Sequence, residues 1–428
     1  MEQILVKELV EYNFNDVFHN QLSAHVEDEL GVKSDEIKRL LGLRSQPIQI
    51  YTRAKKKKVK FVGIAGVISL KNTEIEVMPK FLRDGENWRE SLFNMIYWSK
   101  SNRLFSQKTS HVSTTHFSFY DHVALMYYDA MKLGLANDSI HTYYPIKENS
   151  RYLKGRLLFG DQIKNVITHP GILYYEYDSF DTDNEFNYLL KWCLDILSVK
   201  SNNNQIKVRL KSLIDEMPHV SKVYNIPVEG KLPPQYAHYK EAIEIANNLA
   251  LGYSYVHSAK NGYGIGYVVN TEVIYEKFVE RILQQIKTPF YDLKSEAQSG
   301  MLFAKATSKK TSSYYTMPDN KLYKNGSPAL LVDAKYKNIY ADEKQKKPIN
   351  SDIYQLFASL ITHKCEKGIL ISPCESDKPI TEHSWVVYDD LKKYELFSIA
   401  VDMSDLSSAS KIERLRSRLL EYLDKKMV

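Results

Sequence analysis

Cysteine is scarce in this chain. Among 428 residues there are three, Cys193, Cys365 and Cys374. An odd, widely scattered set excludes both a disulfide framework and the spacing of a zinc site. Each is expected as a small buried hydrophobe. The 12 histidines never fall into an HxxxH spacing, which argues against a zinc enzyme. No apolar run approaches the ~20 residues of a membrane-spanning helix. The opening Met1-Glu2-Gln3-Ile4 lacks the basic and apolar regions of a signal peptide, so a cytoplasmic location is expected. No GxxxxGK[ST] occurs, so the chain carries no P-loop of its own. Charge imbalance is small too: 58 Lys and Arg against 52 Asp and Glu leave +6. That balance permits nucleic-acid binding through local patches without demonstrating it.

What remains is the composition of a globular protein, 43% hydrophobic and 26% charged. The chain is too long for one ordinary core, so two or three domains are expected. The 31 tyrosines suit stacking on bases, and equally suit half-buried strand and helix positions.

Residues 1–85 read as β-rich. Ile48–Thr52, Val59–Ile64, Val67–Leu70 and Thr73–Met78 are short and bounded by turn signals, which predicts a small barrel or curled sheet preceded by a helix near Ser34–Leu43. The tetralysine Lys55–Lys58 falls between two of these strands. It is either a solvated hairpin tip or a contact for phosphate or an acidic protein surface. Residues 86–261 read as mainly helical, with a strand at Tyr174–Tyr177 and a strong helix at Asn184–Leu197. Composition shifts at Gly262-Tyr263-Gly264-Ile265-Gly266. This cluster lacks the strand–turn–helix context of a dinucleotide fingerprint and reads as a loop. Residues 262–428 form the last expected domain.

That domain carries the chemistry. A helix at Thr271–Ile286 has an apolar face through Ile274, Phe278, Ile282 and Ile286, with Glu276 on a neighbouring face. Strands are expected at Met301–Ala306, Ser312–Met317 and Ala329–Tyr336, then a helix at Asp352–His363 and a strand at Gly368–Ser372. The order αβββαβ is that of PD-(D/E)xK nucleases, giving an α+β fold class overall. The apolar run Ala329–Val332 leads straight into Asp333-Ala334-Lys335. Residues two apart on a strand share a face, so Asp333 and Lys335 project together. Asp319 follows Met317-Pro318, where a turn returns the chain toward the same edge. Two carboxylates with a phosphate oxygen and waters can complete an octahedral Mg²⁺ shell, which activates water for attack on a phosphodiester. Lys335 is placed to hold that water and the developing oxyanion. Glu276 is either a further metal or water ligand or a solvated helix residue. Gln355 either orients water or phosphate or is a surface amide. The Asp333/Lys335 pair by itself also reads as a strand-end salt bridge.

Several of these segments resemble the McrC family, the nuclease subunit of McrBC restriction systems. They are Met317-Pro318-Asp319, Leu331-Val332-Asp333-Ala334-Lys335-Tyr336-Lys337 and Ser351-Asp352-Ile353-Tyr354-Gln355-Leu356-Phe357-Ala358. Glu76-Val77-Met78-Pro79-Lys80, Leu153–Leu157, Asp183–Asn187 and Ile274–Val279 resemble earlier parts of that family, so the likeness runs from about Phe61 to Pro373. Met317 stands where the family commonly has arginine. The resemblance implies a Mg²⁺-dependent DNA endonuclease, with Mn²⁺ as a substitute cation. Metal ligands would be Asp319, Asp333 and Glu276, acting with Lys335 and Gln355. It also implies double-stranded DNA as substrate and a hexameric McrB-like AAA+ GTPase as partner. Arg53, Lys55, Lys56, Lys57 and Lys58 are then candidates for the ring contact. A LlaJI-like nuclease cutting unmethylated sites and a non-catalytic GTPase-activating adaptor remain alternative readings.

Overall fold

The computed structural model describes residues 2–18, 23–70, 73–83, 85, 87–101, 117–223, 226–228, 230–257, 266–284, 291–294, 300–304, 312–324, 326–337, 350–375, 381–389 and 392–427. The loop residues Gly262–Ile265 and the lysine-rich stretch Glu343–Lys347 lie outside these. The described residues form a mixed α+β fold. Compactness divides it into two units: residues 1–68, 73–116 and 268–428, and residues 69–72 with 117–267. This partition differs from one drawn by composition, because the N-terminal strands and the C-terminal region belong to one unit.

In the first unit β1 (Glu2–Lys7) is followed by β2 (Glu11–Asn13), α1 (Phe14–Val17) and α2 (Ser23–Leu41). Next come β3 (Ile48–Arg53), β4 (Lys56–Phe61), β5 (Ile64–Ser69), β6 (Thr73–Met78) and α3 (Trp88–Ser101). The strands make two sheets rather than one barrel: β2-β4-β3, and a four-stranded sheet in which β1 runs parallel to β6. The tetralysine is a partial correction. Ala54 and Lys55 form the hairpin turn, with φ of 49° and 61°, but Lys56–Lys58 belong to β4 itself. The reason is pairing: Lys56, Lys57 and Lys58 stand opposite Arg53, Thr52 and Tyr51 of β3, and the fully buried Val59 and Phe61 hold the same strand in place.

The second unit contains α4 (Phe119–Leu135), β7 (Thr142–Ser150), β8 (Arg156–Leu157), α5 (Phe159–Thr168), β9 (Leu173–Asp181), α6 (Glu185–Lys200), α7 (Asn204–Glu216) and α8 (Lys240–His257). Ser118 and Asp121 form a reciprocal capping box that starts α4. Beside its helices the unit holds an antiparallel sheet ordered β7-β9-β8, where one strand was expected. Half-buried, one-sided strands carry a weaker apolar pattern than core strands, which hides them.

The chain returns to the first unit with β10 (Tyr267–Asn270), α9 (Thr271–Leu283), β11 (Tyr291–Lys294), β12 (Gly300–Ala304), β13 (Ser312–Thr316), β14 (Asn320–Lys324), β15 (Ser327–Ala334), α10 (Asn350–Thr362), β16 (Lys367–Cys374), β17 (Thr381–Asp389), β18 (Lys392–Asp402) and α11 (Ala409–Met427). A six-stranded sheet is ordered β11-β14-β15-β16-β18-β17. Its central strands β15, β16 and β18 are parallel, and therefore end at one edge. Two expected strands are displaced from this sheet: β12 and β13 pair with each other. The strand beside β15 is β14, where a turn was expected. Helix α10 covers the sheet centre, where Leu331, Leu356, Leu360, Cys365, Leu370, Tyr394 and Leu396 form one buried cluster. Gly368 permits that approach, since a Cβ there would stand 3.0 Å from the side chains of Leu356 and Leu360. No helix among the described residues is long and apolar enough to cross a membrane.

Gly155 is a backbone position in the second unit that only glycine fits. Its φ is +84°, and a Cβ would lie 2.4 Å from the Glu176 carbonyl oxygen. Gly155→Ala is expected to cost about 2–4 kcal/mol, read as a lower urea midpoint at unchanged slope.

Candidate functional site

The site is set by strand register. Strands β14 and β15 are antiparallel, with Asn320 opposite Val332. One residue further toward the edge, Asp319 comes alongside Asp333. The Asp319 Oδ2 accepts a 2.7 Å hydrogen bond from the Ala334 backbone N–H, which fixes the carboxylate at the end of β15. The Asp319 and Asp333 carboxyls come within hydrogen-bonding reach of each other. The Lys335 Nζ stands 3.0 Å from Asp333 Oδ1. The Lys335 backbone N–H donates to the Ile371 carbonyl at 2.8 Å, so the strand ladder runs right up to the lysine. Three of the expected residues are therefore together.

The electrostatics follow from burial. Asp333 is 3% exposed. Burial, then the charge and hydrogen bond of Asp333, push the Asp319 carboxyl well above the usual carboxylate range. Two buried acids so close cannot both ionise without a cation. Burial alone would lower Lys335, but Asp333, Asp319 and Asp352 outweigh it and hold the ammonium above its ordinary value. Glu276, half-buried on α9, is raised to about 6 by burial and by Glu272, with Lys335 opposing and Asp333 adding. It stands in the field of the pair. Among the described residues no group of three or more His, Cys, Asp or Glu side chains is gathered for a metal ion. The donor set thus offers two carboxylates. That fits Mg²⁺, which commonly takes one or two carboxylates and leaves its other positions to waters and substrate phosphate.

Gln355 is exposed on α10, and its side chain has no partner among the described residues. The residue of that helix facing the site is Asp352, 4% exposed, whose carboxylate accepts from Lys337 Nζ at 2.8 and 3.0 Å. In the N-terminal hairpin Arg53 pairs with Glu11 at 3.0 Å, Lys57 pairs with Glu27, and Lys58 donates to Asn13 at 2.7 Å. Lys55 and Lys56 are exposed and unpaired among the described residues.

A second cluster lies behind the site and carries no motif. Glu8, 1% exposed, accepts hydrogen bonds from the Gly63 N–H at 3.0 Å, the Lys80 N–H at 3.3 Å, Thr271 Oγ1 at 3.0 Å and the Tyr336 hydroxyl at 2.9 Å. Lys80 Nζ donates to the Tyr336 carbonyl at 2.8 Å and sits 4.0 Å from its ring centroid. One carboxyl thus ties the residue after Lys335, the first residue of the helix bearing Glu276, and the β4–β5 connection. The available signal was that Tyr336 follows the lysine on the opposite face, so an inward ring implied a buried partner.

The family model described as McrBC 5-methylcytosine restriction system component matches residues 59–373. No curated protein is matched. A chain of the refined half-complex from the tetradecameric assembly of Thermococcus gammatolerans McrB AAA+ hexamers with bound McrC is similar in fold, with a TM-score of 0.62. Identity is 15%, over 98% of this chain and 100% of that one. A chain of the cryo-EM structure of the Thermococcus gammatolerans McrBC complex matches at 13% identity and a TM-score of 0.45, covering 66% of this chain and 87% of that one.

Burial, outweighing Lys80 and the four hydrogen bonds, holds the Glu8 carboxyl above its ordinary value of 4.5. A raised folded-state value means that the folded chain binds this proton more tightly. Its contribution is present below 4.5 and is lost as pH rises through the folded value. The unfolding free energy of wild type minus that of Glu8→Gln should therefore fall with rising pH across that window. Its slope is bounded by about 1.4 kcal/mol per pH unit, the value for one proton. A difference that stays flat across the window refutes the assignment.

Proposed function

Because the chain belongs to the McrBC 5-methylcytosine restriction system component family, we propose that it is the DNA-cutting subunit of such a system. The observation that carries this reading is the apposition of Asp319 and Asp333 beside Lys335 at one strand end. In this reading β14, β15 and β16, flanked by α9 and α10, form a PD-(D/E)xK nuclease core. Asp319 and Asp333 hold Mg²⁺, with Mn²⁺ as a substitute. When bound, the cation supplies water activation and charge neutralisation for phosphodiester hydrolysis.

The protein's own groups divide the remaining work. Lys335, held protonated by three carboxylates, donates to the phosphate oxygen on which negative charge develops. It is too strongly charged to serve as the base. Glu276, at about 6, is poised to accept a proton from the attacking water near neutral pH. Gln355, exposed on α10, is a candidate for contact with the DNA backbone.

The partner is proposed as a hexameric AAA+ GTPase of the McrB type, which recognises and moves DNA. With Arg53, Lys57 and Lys58 already satisfied by neighbours, Lys55 and Lys56 are the hairpin side chains left for the ring. Replacing both with alanine is expected to lower stimulation of the partner's GTPase several-fold while the nuclease site stays intact. Unchanged stimulation removes the hairpin from the interface.

Plasmid cleavage with the partner, GTP and Mg²⁺ tests the chemistry. Asp333→Ala and Lys335→Met should each reduce cutting by about a thousandfold, while GTPase stimulation persists. Calorimetric Mn²⁺ binding should be lost in Asp333→Ala alone of the two. Equal cutting by wild type and Asp333→Ala would show that the site lies elsewhere. Wild type that stimulates GTPase without ever cutting is the adaptor outcome.

A further inference from the structure

Beyond the carboxylate pair, the first unit contains a cavity of about 310 Å³ lined by Arg83, Asp402, Asp405, Lys411, Arg414 and Arg418. Leu406 and Leu415 add an apolar wall. The cations come from two distant chain segments. Lys411, Arg414 and Arg418 recur at helical spacing on one face of α11, and Arg83 comes from the connection before α3.

The two acids of the lining are already committed. The Asp402 carboxylate accepts from the Ser404 N–H at 2.9 Å. Asp405 accepts from the Ser407 N–H at 3.0 Å and hydroxyl at 2.7 Å, and it pairs with Lys411. The loop they stabilise is pinned from outside. The Arg83 N–H donates to the Ser404 carbonyl at 3.0 Å, Asn94 Nδ2 to the Leu406 carbonyl at 2.9 Å, and the Leu406 N–H to Ser91 Oγ at 3.1 Å. Arg414 and Arg418, by contrast, make no hydrogen bond or ion pair among the described residues. Two uncommitted guanidiniums on a rigid wall, each a planar fork of donors, match the oxygens of a phosphate group.

Position supports the same ligand. Asp402 is opposite Cys374 on β16, and Asp333 is opposite Leu370. Four residues of rise and two strand spacings therefore put Asp402, on the cavity wall, about 13 Å along and about 10 Å across from Asp333, at the same sheet edge.

We propose that this cavity is a phosphate-binding subsite, with Arg414 and Arg418 as its ligand-contacting residues. The phosphate belongs to a nucleic-acid backbone or to a free nucleotide. The assignment stands on the cavity and its cations and is independent of the nuclease reading.

The test compares the full chain with Arg414→Gln/Arg418→Gln and with the Lys/Lys variant, which keeps the charge. Both positions are exposed, and circular dichroism checks folding. In EDTA, anisotropy of a short labelled DNA duplex should show about tenfold weaker binding by the Gln pair. Its salt slope should be reduced by about two, with partial rescue by lysine. Inorganic phosphate and a nucleoside monophosphate are titrated in parallel by thermal shift. Weakened duplex binding with no response to either small anion assigns the backbone as source. A thermal upshift in wild type that the Gln pair loses assigns a free phosphate ligand. If duplex affinity and thermal response are the same in wild type and the Gln pair, the arginines are a solvated helix face and the proposal is overturned. A fault in the carboxylate assignment would instead show as unaltered cleavage by Asp333→Ala, and binding in EDTA does not depend on it.

Discussion

Two carboxyl groups pressed together in a buried place are an unfavourable arrangement, and the architecture around Asp319 and Asp333 exists to hold it. The register of β14 on β15 brings the acids side by side, and the Ala334 N–H keeps Asp319 from turning out to solvent. Lys335 offsets one charge. One ammonium cannot offset two carboxylates, so Asp319 retains its proton far above the usual range. A fold that sought only stability would replace such a pair with apolar side chains of similar volume. Its presence at the end of an otherwise apolar strand is the physical basis of the proposed cation site.

Rigidity at this point comes from behind the carboxylates. Glu8 supplies it. It binds the Tyr336 hydroxyl and Thr271 Oγ1 at once, so the strand carrying Asp333 and Lys335 and the helix carrying Glu276 share one anchor. The Tyr275 hydroxyl adds a 3.1 Å bond to the Ile371 carbonyl, the same carbonyl that receives the Lys335 N–H. The anchor belongs to the chain's first strand connection, which explains why the N-terminal strands and the C-terminal sheet form one compact unit. Lys80, through its bond to the Tyr336 carbonyl, and the Thr271 N–H, through its bond to the Gly63 carbonyl, reinforce the same link.

The Asp333–Lys335 pair was legible in sequence because its signal is local. A buried apolar strand ending in Asp-Ala-Lys fixes two side chains on one face by period two alone. Asp319 was legible only as a neighbour in a motif, since its approach depends on a register that no local pattern states. The strand that delivers it, β14, reads Asn-Lys-Leu-Tyr-Lys and has too few apolar residues to advertise itself. The more aromatic β13 gives the stronger strand signal, yet it pairs elsewhere. Glu8 was illegible for a different reason: its partners are contributed by Gly63, Lys80, Thr271 and Tyr336, and a network with such separations has no period. Lys56–Lys58 failed in the opposite sense, because a run of like charge suggested a loop while Val59 and Phe61 held the residues in a strand.

The same logic separates the cations of this unit. A lysine or arginine that satisfies a neighbouring acid contributes to the fold, and Arg53, Lys57, Lys337 and Lys411 all do so. Exposed pairs of that kind contribute little to stability individually, but they mark charges already spoken for. Removing them from consideration leaves few positive groups facing outward with a shaped surface beneath them. Lys55 lies in the hairpin turn and Lys56 opens β4, both exposed. Arg414 and Arg418 sit on a helix wall above a cavity whose acids are turned toward their own loop. The parallel strands β15, β16 and β18 put Asp402, on the wall of that cavity, at the same sheet edge as the carboxylates.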